Sequence, residues 1–188
     1  MDRRKFLNSS LLSAGAAALL GSKSFTAWAA DQAYRFKPLR NNVGMFAEQG
    51  GTIAWLVNKE GIVVVDAEFP EPAKHLIAEL QKQSDKPFNW LINTHHHGDH
   101  TSGNISFKGL VKNVAAHANS LINQKNVAAR NNSDDKQLYP DTTFTDKWKI
   151  KAGDETISAY YWGPGHTNGD IMIHFENGNL IYKHYFDT

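Results

Sequence analysis

Four histidines and one aspartate fall between positions 95 and 100, although the 188-residue chain has only nine histidines. Imidazole nitrogens and carboxylate oxygens are common zinc ligands, and the chain has no cysteine to supply a thiolate. In a locally extended backbone, side chains two residues apart point to the same side, so His95 and His97 can bind one ion. Asp99 and His100 lie just beyond and can turn toward a neighbouring site. The cluster therefore predicts a metal centre.

The segments around this cluster predict where it lies in the fold. Residues 88–93 have the length and composition of a short buried strand, whereas Gly98 and residues 101–104 favour a loop. Upstream, residues 62–65 are all β-branched and predict a buried central strand. That strand ends at Asp66, either a hydrogen-bond partner of the histidine loop or a turn-forming residue. The cluster is therefore expected at the edge of a sheet.

The rest of the chain predicts a layered α/β fold. Residues 131–143 are polar and contain Pro140, so we expect a loop that can border a substrate cleft. His117 is expected to begin a helix, and His75 and His174 are expected to be solvated or structural. We expect helices at about 70–83 and 117–130, and further strands at 43–47, 52–57, 111–115, 147–151, 155–162, 171–175 and 179–186.

The histidine cluster resembles the metal-binding motif of the metallo-β-lactamase superfamily, His-x-His-x-Asp-His. A second segment, Gly165-His166-Thr167 followed by Gly169-Asp170, resembles the motif that supplies the third histidine of that family. The likeness extends from about Val43 to the C-terminus. The resemblance implies a metallo-β-lactamase-like αβ/βα sandwich. It also implies that the metal ligands are His95, His97, Asp99, His100 and His166.

The same resemblance implies a reaction. Three imidazoles, from His95, His97 and His166, leave the fourth tetrahedral position of a zinc ion to water, as in catalytic zinc sites. Zinc lowers the pKa of such a water to about 7. Asp99 is then the candidate catalytic residue that orients the hydroxide and carries its proton, or it holds a second ion with His100. The expected reaction is hydrolysis of an amide, ester, lactone or thioester in a small-molecule substrate.

The sequence departs from the family pattern near its end. Relatives carry a metal-binding Gly-Asp pair on the strand where this chain has Tyr182-Lys183-His184-Tyr185-Phe186, and they continue past the position of Thr188 to a further metal-binding histidine. We therefore expect one zinc, a second whose occupancy is undecided, and His184 as the candidate replacement ligand. The sandwich is expected to be incomplete in its second half, with apolar surface and strand edges exposed.

Two alternative functions remain open from the sequence. The first alternative to a hydrolase is a truncated or degenerate relative that binds metal without turnover, which the missing Gly-Asp pair and later histidine favour. The second is an iron-dependent sulfur oxygenase on the same scaffold. Members of the resembled family include β-lactamases, lactonases and thioesterases of the glyoxalase II type. The motifs do not select one of these substrate classes.

The first 30 residues have the features of an export signal. Arg3-Arg4 with Phe6-Leu7 resembles the twin-arginine type, and Ala27-Trp28-Ala29 is a small-x-small cleavage pattern. The apolar stretch at 11–20 is about half of the ~20 residues that span a bilayer, so we expect no stable membrane anchor. An uncleaved amphipathic anchor is the alternative.

The export-signal features predict a division of the chain into a signal peptide at residues 1–30 and a metallo-β-lactamase-like domain at residues 31–188. The twin-arginine export machinery is the expected partner, and the periplasm or the exterior the expected location. Residues 1–30 carry a net charge of +3 in a chain of net +1, so the remainder is about −2. A weakly acidic domain without basic runs argues against a nucleic-acid partner.

Overall fold

The computed structural model describes residues 34–183. The proposed signal peptide at residues 1–30 and the candidate ligand His184 lie outside the described residues. The strands of this part of the chain are β1 (Arg35–Arg40), β2 (Val43–Ala47), β3 (Ile53–Asn58), β4 (Gly61–Val65), β5 (Phe88–Asn93), β6 (Val111–His117), β7 (Thr142–Phe144), β8 (Lys147–Ala152), β9 (Glu155–Tyr160), β10 (Met172–Phe175) and β11 (Leu180–Tyr182). The helices are α1 (Pro70–Gln83), α2 (Gly98–Thr101) and α3 (Ala118–Asn131), and 3₁₀ turns lie at Ser102–Phe107 and Asp134–Lys136.

In the described part of the chain, the first sheet contains seven strands, which lie side by side in chain order from β1 to β7. Strands β1 to β4 are antiparallel neighbours, whereas β4 to β7 run parallel. Parallel neighbours need crossover connections, and α1 and α3 provide the two longest of them. Because β4 and β5 run in the same direction, Asp66 and the histidine cluster both emerge at one edge of the sheet.

The second sheet is antiparallel and has the strand order β11-β10-β9-β8. In β8, exposed lysines alternate with half-buried Trp148, Ile150 and Ala152. This period of two places one face of the strand toward the core and the other toward water.

Apolar side chains on opposite faces of β4 belong to two different cores. Val64 packs in the core that includes Leu76 and Leu80 of α1. Val63 packs in the core shared with Ile157 and Ile173 of the second sheet. Since every residue of β4 is buried, this strand is the centre of the layered arrangement, as its β-branched run predicts.

Several sequence-based assignments and boundaries of secondary structure were wrong, among them the ends of β6 at His117 and of β11 at Tyr182. Strand β1 was missed because its Arg35–Arg40 segment is charged and almost wholly exposed, as edge strands often are. Strand β7 falls within the expected loop at residues 131–143. Residues 98–104 are helical rather than a loop, and β9 ends at Tyr160, two positions earlier than expected.

Two large apolar side chains on or beside the second sheet are strongly exposed: Trp162 at 75% and Ile181 at 60%. Within residues 34–183, no helix is both long enough and apolar enough to cross a membrane.

Candidate metal centre

The side chains of His95, His97 and His166 converge, and ligand nitrogens from the three rings all lie within 4.8 Å of one another. His97 Nδ1 and His166 Nε2 are 2.9 Å apart. Nitrogens that share one tetrahedral zinc lie about 3.4 Å apart, so small ring movements let this set hold one ion. His95 is buried, His97 is partly buried and His166 is exposed. An open site of three imidazoles, without thiolates, fits a zinc ion that keeps one position for water.

The loop that carries His166 is hydrogen-bonded to the end of β5. Thr167 donates to the Asp170 carboxylate from its backbone nitrogen and, at 3.0 Å, from its hydroxyl. The backbone nitrogen of Ile171 donates to the carbonyl of Thr94 at 2.9 Å. These bonds bring the second histidine motif against the first, although about 70 residues separate them in the chain.

Asp66 is the buried anchor of the histidine loop. Its Oδ1 accepts from the backbone nitrogen of Thr94 at 2.8 Å, and its Oδ2 accepts from the Thr94 hydroxyl at 2.7 Å. His100 Nδ1 lies 2.8 Å from the same Oδ2, and the Tyr182 hydroxyl donates to it at 3.1 Å. Asp66 itself is fully buried, with φ at +65°. Both interpretations of Asp66 are therefore correct, since it turns the chain and holds the loop.

Asp66 also affects the pKa and the orientation of the His100 ring. Burial disfavours the charged imidazolium, but the charge and hydrogen bond of Asp66, together with the charges of Asp99 and Glu68, outweigh burial and raise the pKa of His100. With Nδ1 facing Asp66, Nε2 lies on the side of Asp99, 3.4 Å from its Oδ2. This is the orientation in which a carboxylate fixes a metal-binding histidine. Asp99 and His100 are thus adjacent, and they flank a position next to the three-histidine set.

The pKa values of His96 and His97 are shifted the other way. Burial lowers the pKa of His97, and the nearby His166 lowers it further. Burial and His97 lower the pKa of His96. A lowered pKa keeps the His97 ring neutral at pH 7, the form that binds metal. His96 is not a member of the convergent set, and its buried Nδ1 has no hydrogen-bond partner among the described residues.

The other described histidines have structural contacts. His117 is the N-cap of α3, where its Nδ1 accepts from the backbone nitrogen of Asn119 at 3.2 Å, so the prediction that it begins a helix is confirmed. His75 Nδ1 lies 2.8 Å from a carboxylate oxygen of Glu48. His174 lies within β10 and pairs with Ser158 of β9.

A cavity of about 320 Å³ opens beside His95 and is lined partly by Tyr160, Trp162, Pro164 and Met172. The loop at residues 131–143, which was expected to border a substrate cleft, does not line this cavity. Thr94 and Tyr182 were not predicted as partners of Asp66. Tyr182 gave no local signal, because 116 residues separate it from Asp66.

Fold and site together define a class of protein, and a family comparison agrees. Residues 48–182 match the model of the metallo-β-lactamase superfamily, and the chain belongs to this superfamily. Among individual relatives, the chain is 28% identical to a protein named metallo-beta-lactamase type 2 from Elizabethkingia meningoseptica, over 68% of this chain and 48% of that protein. It is 24% identical to the 2,4-dinitroanisole O-demethylase subunit alpha of Nocardioides sp. (strain JS1661), over 78% of this chain and 44% of that one.

The chain spans about half the length of these two relatives. Among solved structures, a metallo-beta-lactamase from Pontibacter korlensis superposes with a TM-score of 0.61 and 21% identity, covering 77% of this chain and 67% of that one. One from Hirschia baltica gives a TM-score of 0.62 and 18% identity, covering 80% of this chain and 70% of that one. At these identities the likeness shows the fold, and the predicted α/β metallo-β-lactamase-like sandwich is confirmed.

Proposed function

We propose that this protein is a zinc-dependent hydrolase of small molecules. The convergence of His95, His97 and His166 at one point is the observation that carries the proposal. The neighbouring pair Asp99 and His100 adds a carboxylate and an oriented imidazole. Three imidazole nitrogens in an open site suit a catalytic zinc better than a closed structural one.

The residues of the site have separate roles in this proposal. Zinc held by the three imidazoles would supply Lewis-acid chemistry, which polarises a carbonyl and acidifies water. Asp99, with a side chain that is 41% exposed, orients the attacking water and accepts its proton. Asp66 holds His100 in place from behind. Asp99 and His100 would hold a second ion only weakly, since two protein ligands leave a divalent ion mostly hydrated.

The proposed function includes a class of substrate. We infer an amide, ester, lactone or thioester, and the panel that tests this includes a β-lactam, a lactone, a thioester and an aryl methyl ether. The last compound is included because of the printed name of one relative. We expect the zinc-loaded protein to hydrolyse at least one carbonyl substrate, and chelator treatment should remove that activity. A fully zinc-loaded protein that turns over none of them would leave metal binding without hydrolysis.

The location is likewise proposed. The N-terminal features support export through the twin-arginine machinery to the periplasm or exterior. Fractionation of the native host tests this, since recovery of only the uncleaved chain in the cytoplasm would contradict it.

Acidification should remove metal from the Asp99 and His100 position first. The raised pKa of His100 means that protons compete with metal there already above pH 6.5, the ordinary histidine value. The lowered pKa of His97 means that protons compete with metal for the His97 ring only below that value. Zinc stoichiometry is measured by equilibrium dialysis against a fixed high concentration of free zinc at each pH, for wild type and for Asp99→Ala. We expect the wild type to lose zinc in two steps and the variant to show only the more acidic step. One step at the same pH in both proteins would contradict the assignment.

A further inference from the structure

Two buried amide side chains close the loop that carries the clustered ligands. Asn93 is the last residue of β5, and Asn104 lies in the 3₁₀ turn that follows α2. Asn93 Nδ2 donates to Asn104 Oδ1 at 3.0 Å, and Asn104 Nδ2 donates to Asn93 Oδ1 at 2.8 Å. Their exposed fractions are 0% and 1%. The segment between them contains the candidate ligands His95, His97, Asp99 and His100.

This reciprocal amide pair also makes hydrogen bonds to neighbouring parts of the fold. Gln124 Nε2 of α3 donates to Asn93 Oδ1 at 3.4 Å and to the Ser120 hydroxyl at 3.3 Å. Asn104 Nδ2 also donates to the carbonyl of Leu138 at 3.2 Å. The two ends of the loop are therefore tied to each other, to α3 and to the segment before β7. A buried network of this kind is costly to leave partly satisfied, so it fixes one arrangement.

Close backbone packing holds the same end of the loop. A Cβ on Gly103 would lie 2.0 Å from the carbonyl oxygen of Ala67, so only glycine allows this approach. The Gly103 nitrogen donates to the carbonyl of Glu68 at 2.8 Å. The amide of Asn104 thus emerges from a backbone that is already fixed in position.

We propose that Asn93 and Asn104 are positioning residues of the metal centre, which fix the ends of residues 94–103 so that His95 and His97 face His166. Each of the two amides acts through the backbone of the loop. Asp66 holds the loop at Thr94 and His100, whereas the amide pair sets the distance between its two ends. The inference rests on the proposed metal-binding function.

The test compares Asn104→Ala with Asn113→Ala. Asn113 is a matched control on β6, where its Nδ2 donates to the carbonyl of Asn89 at 3.0 Å, outside the loop. We expect Asn104→Ala to weaken zinc affinity about tenfold, the lower end of the effect of supporting residues around metal ligands. The visible spectrum of its cobalt-substituted form should also change. Asn113→Ala should leave both unchanged.

Amide hydrogen exchange gives a readout that needs no metal. The backbone nitrogens of His100 and Thr101 donate to the carbonyl of His97, both at 3.0 Å. In metal-free Asn104→Ala these two amides should exchange faster, relative to amides between β8 and β9. If wild-type protein binds no zinc at the three histidines, the proposed function fails, and the exchange rates still decide whether the amide pair positions the loop.

A folded Asn104→Ala protein with wild-type zinc affinity, cobalt spectrum and exchange rates would overturn the inference. Should that variant not fold, Gln124→Met decides the question, because it removes one bond to Asn93 and leaves the reciprocal pair intact. We then expect a smaller loss of zinc affinity in the same direction. Unchanged affinity and unchanged exchange in Gln124→Met would overturn the inference equally.

Discussion

His97→Ala should reduce zinc affinity by a factor on the order of 100 or more. Structural zinc sites with four ligands bind with about 10–16 kcal/mol, so each ligand contributes roughly 3 kcal/mol. His97 belongs to the convergent set and has its Nδ1 2.9 Å from His166 Nε2. Competition with a chromophoric chelator measures the affinity, and hydrolysis should fall in parallel.

His174→Ala is the matched control for this variant. His174 lies within β10 and outside the convergent set, so its removal tests for a general effect of losing a histidine. We expect its zinc affinity to equal that of wild type. Equal affinities in His97→Ala and wild type would remove His97 from the metal centre.

Asp66→Ala should lower the free energy of unfolding of the metal-free protein by about 3–5 kcal/mol, the effect of removing one partner of a buried charged pair. The substitution leaves the backbone nitrogen and hydroxyl of Thr94 without their acceptor, and each unsatisfied buried group costs about 1–3 kcal/mol. It also removes the carboxylate that raises the pKa of His100. Urea denaturation followed by circular dichroism measures the change.

A surface aspartate provides the comparison for Asp66. The side chain of Asp85 is 89% exposed and lies 3.6 Å from Lys86 Nζ, so Asp85→Ala should change stability by less than about 0.5 kcal/mol. Asp66→Asn should fall between the two, because its amide keeps one acceptor oxygen. A loss below about 1 kcal/mol in Asp66→Ala would show that the loop is held mainly by other contacts.

Local pattern was sufficient to predict the parts of the fold in which periodicity and burial agree. The β-branched run at residues 62–65 became the buried strand β4. The apolar positions Ala73, Leu76, Ile77 and Leu80 became the buried side of α1. The two histidine motifs predicted the site because their residues lie at strand ends, where the sheet brings distant segments together.

Other features depend on contacts that no local pattern encodes. The sequence of β1 is charged and has no clear strand pattern. It forms a strand because β2 has a free edge with which it can pair. The hydrogen bond from Tyr182 to Asp66 and the one from Gln124 to Asn93 join elements 116 and 31 residues apart. A single sequence contains no signal for such pairs, because each depends on the packing of the whole sheet.

The order of the second sheet explains why the last strand is important for the site. Within residues 34–183, strand β11 pairs with β10 alone, and its Tyr182 nevertheless contacts the buried anchor of the histidine loop. Strand β11 of one sheet therefore supports the histidine loop at the edge of the other sheet. We infer that changes in β11 affect the loop through Asp66.

Anomalous diffraction at the zinc absorption edge, from crystals of the zinc-loaded protein, tests the central claim most directly. The account predicts a strong peak within bonding distance, about 2.0–2.1 Å, of one nitrogen each from His95, His97 and His166. A weaker peak between Asp99 and His100 is expected at high zinc concentration. A strong peak elsewhere, or none between the three rings, would contradict the assignment of this site as the metal centre.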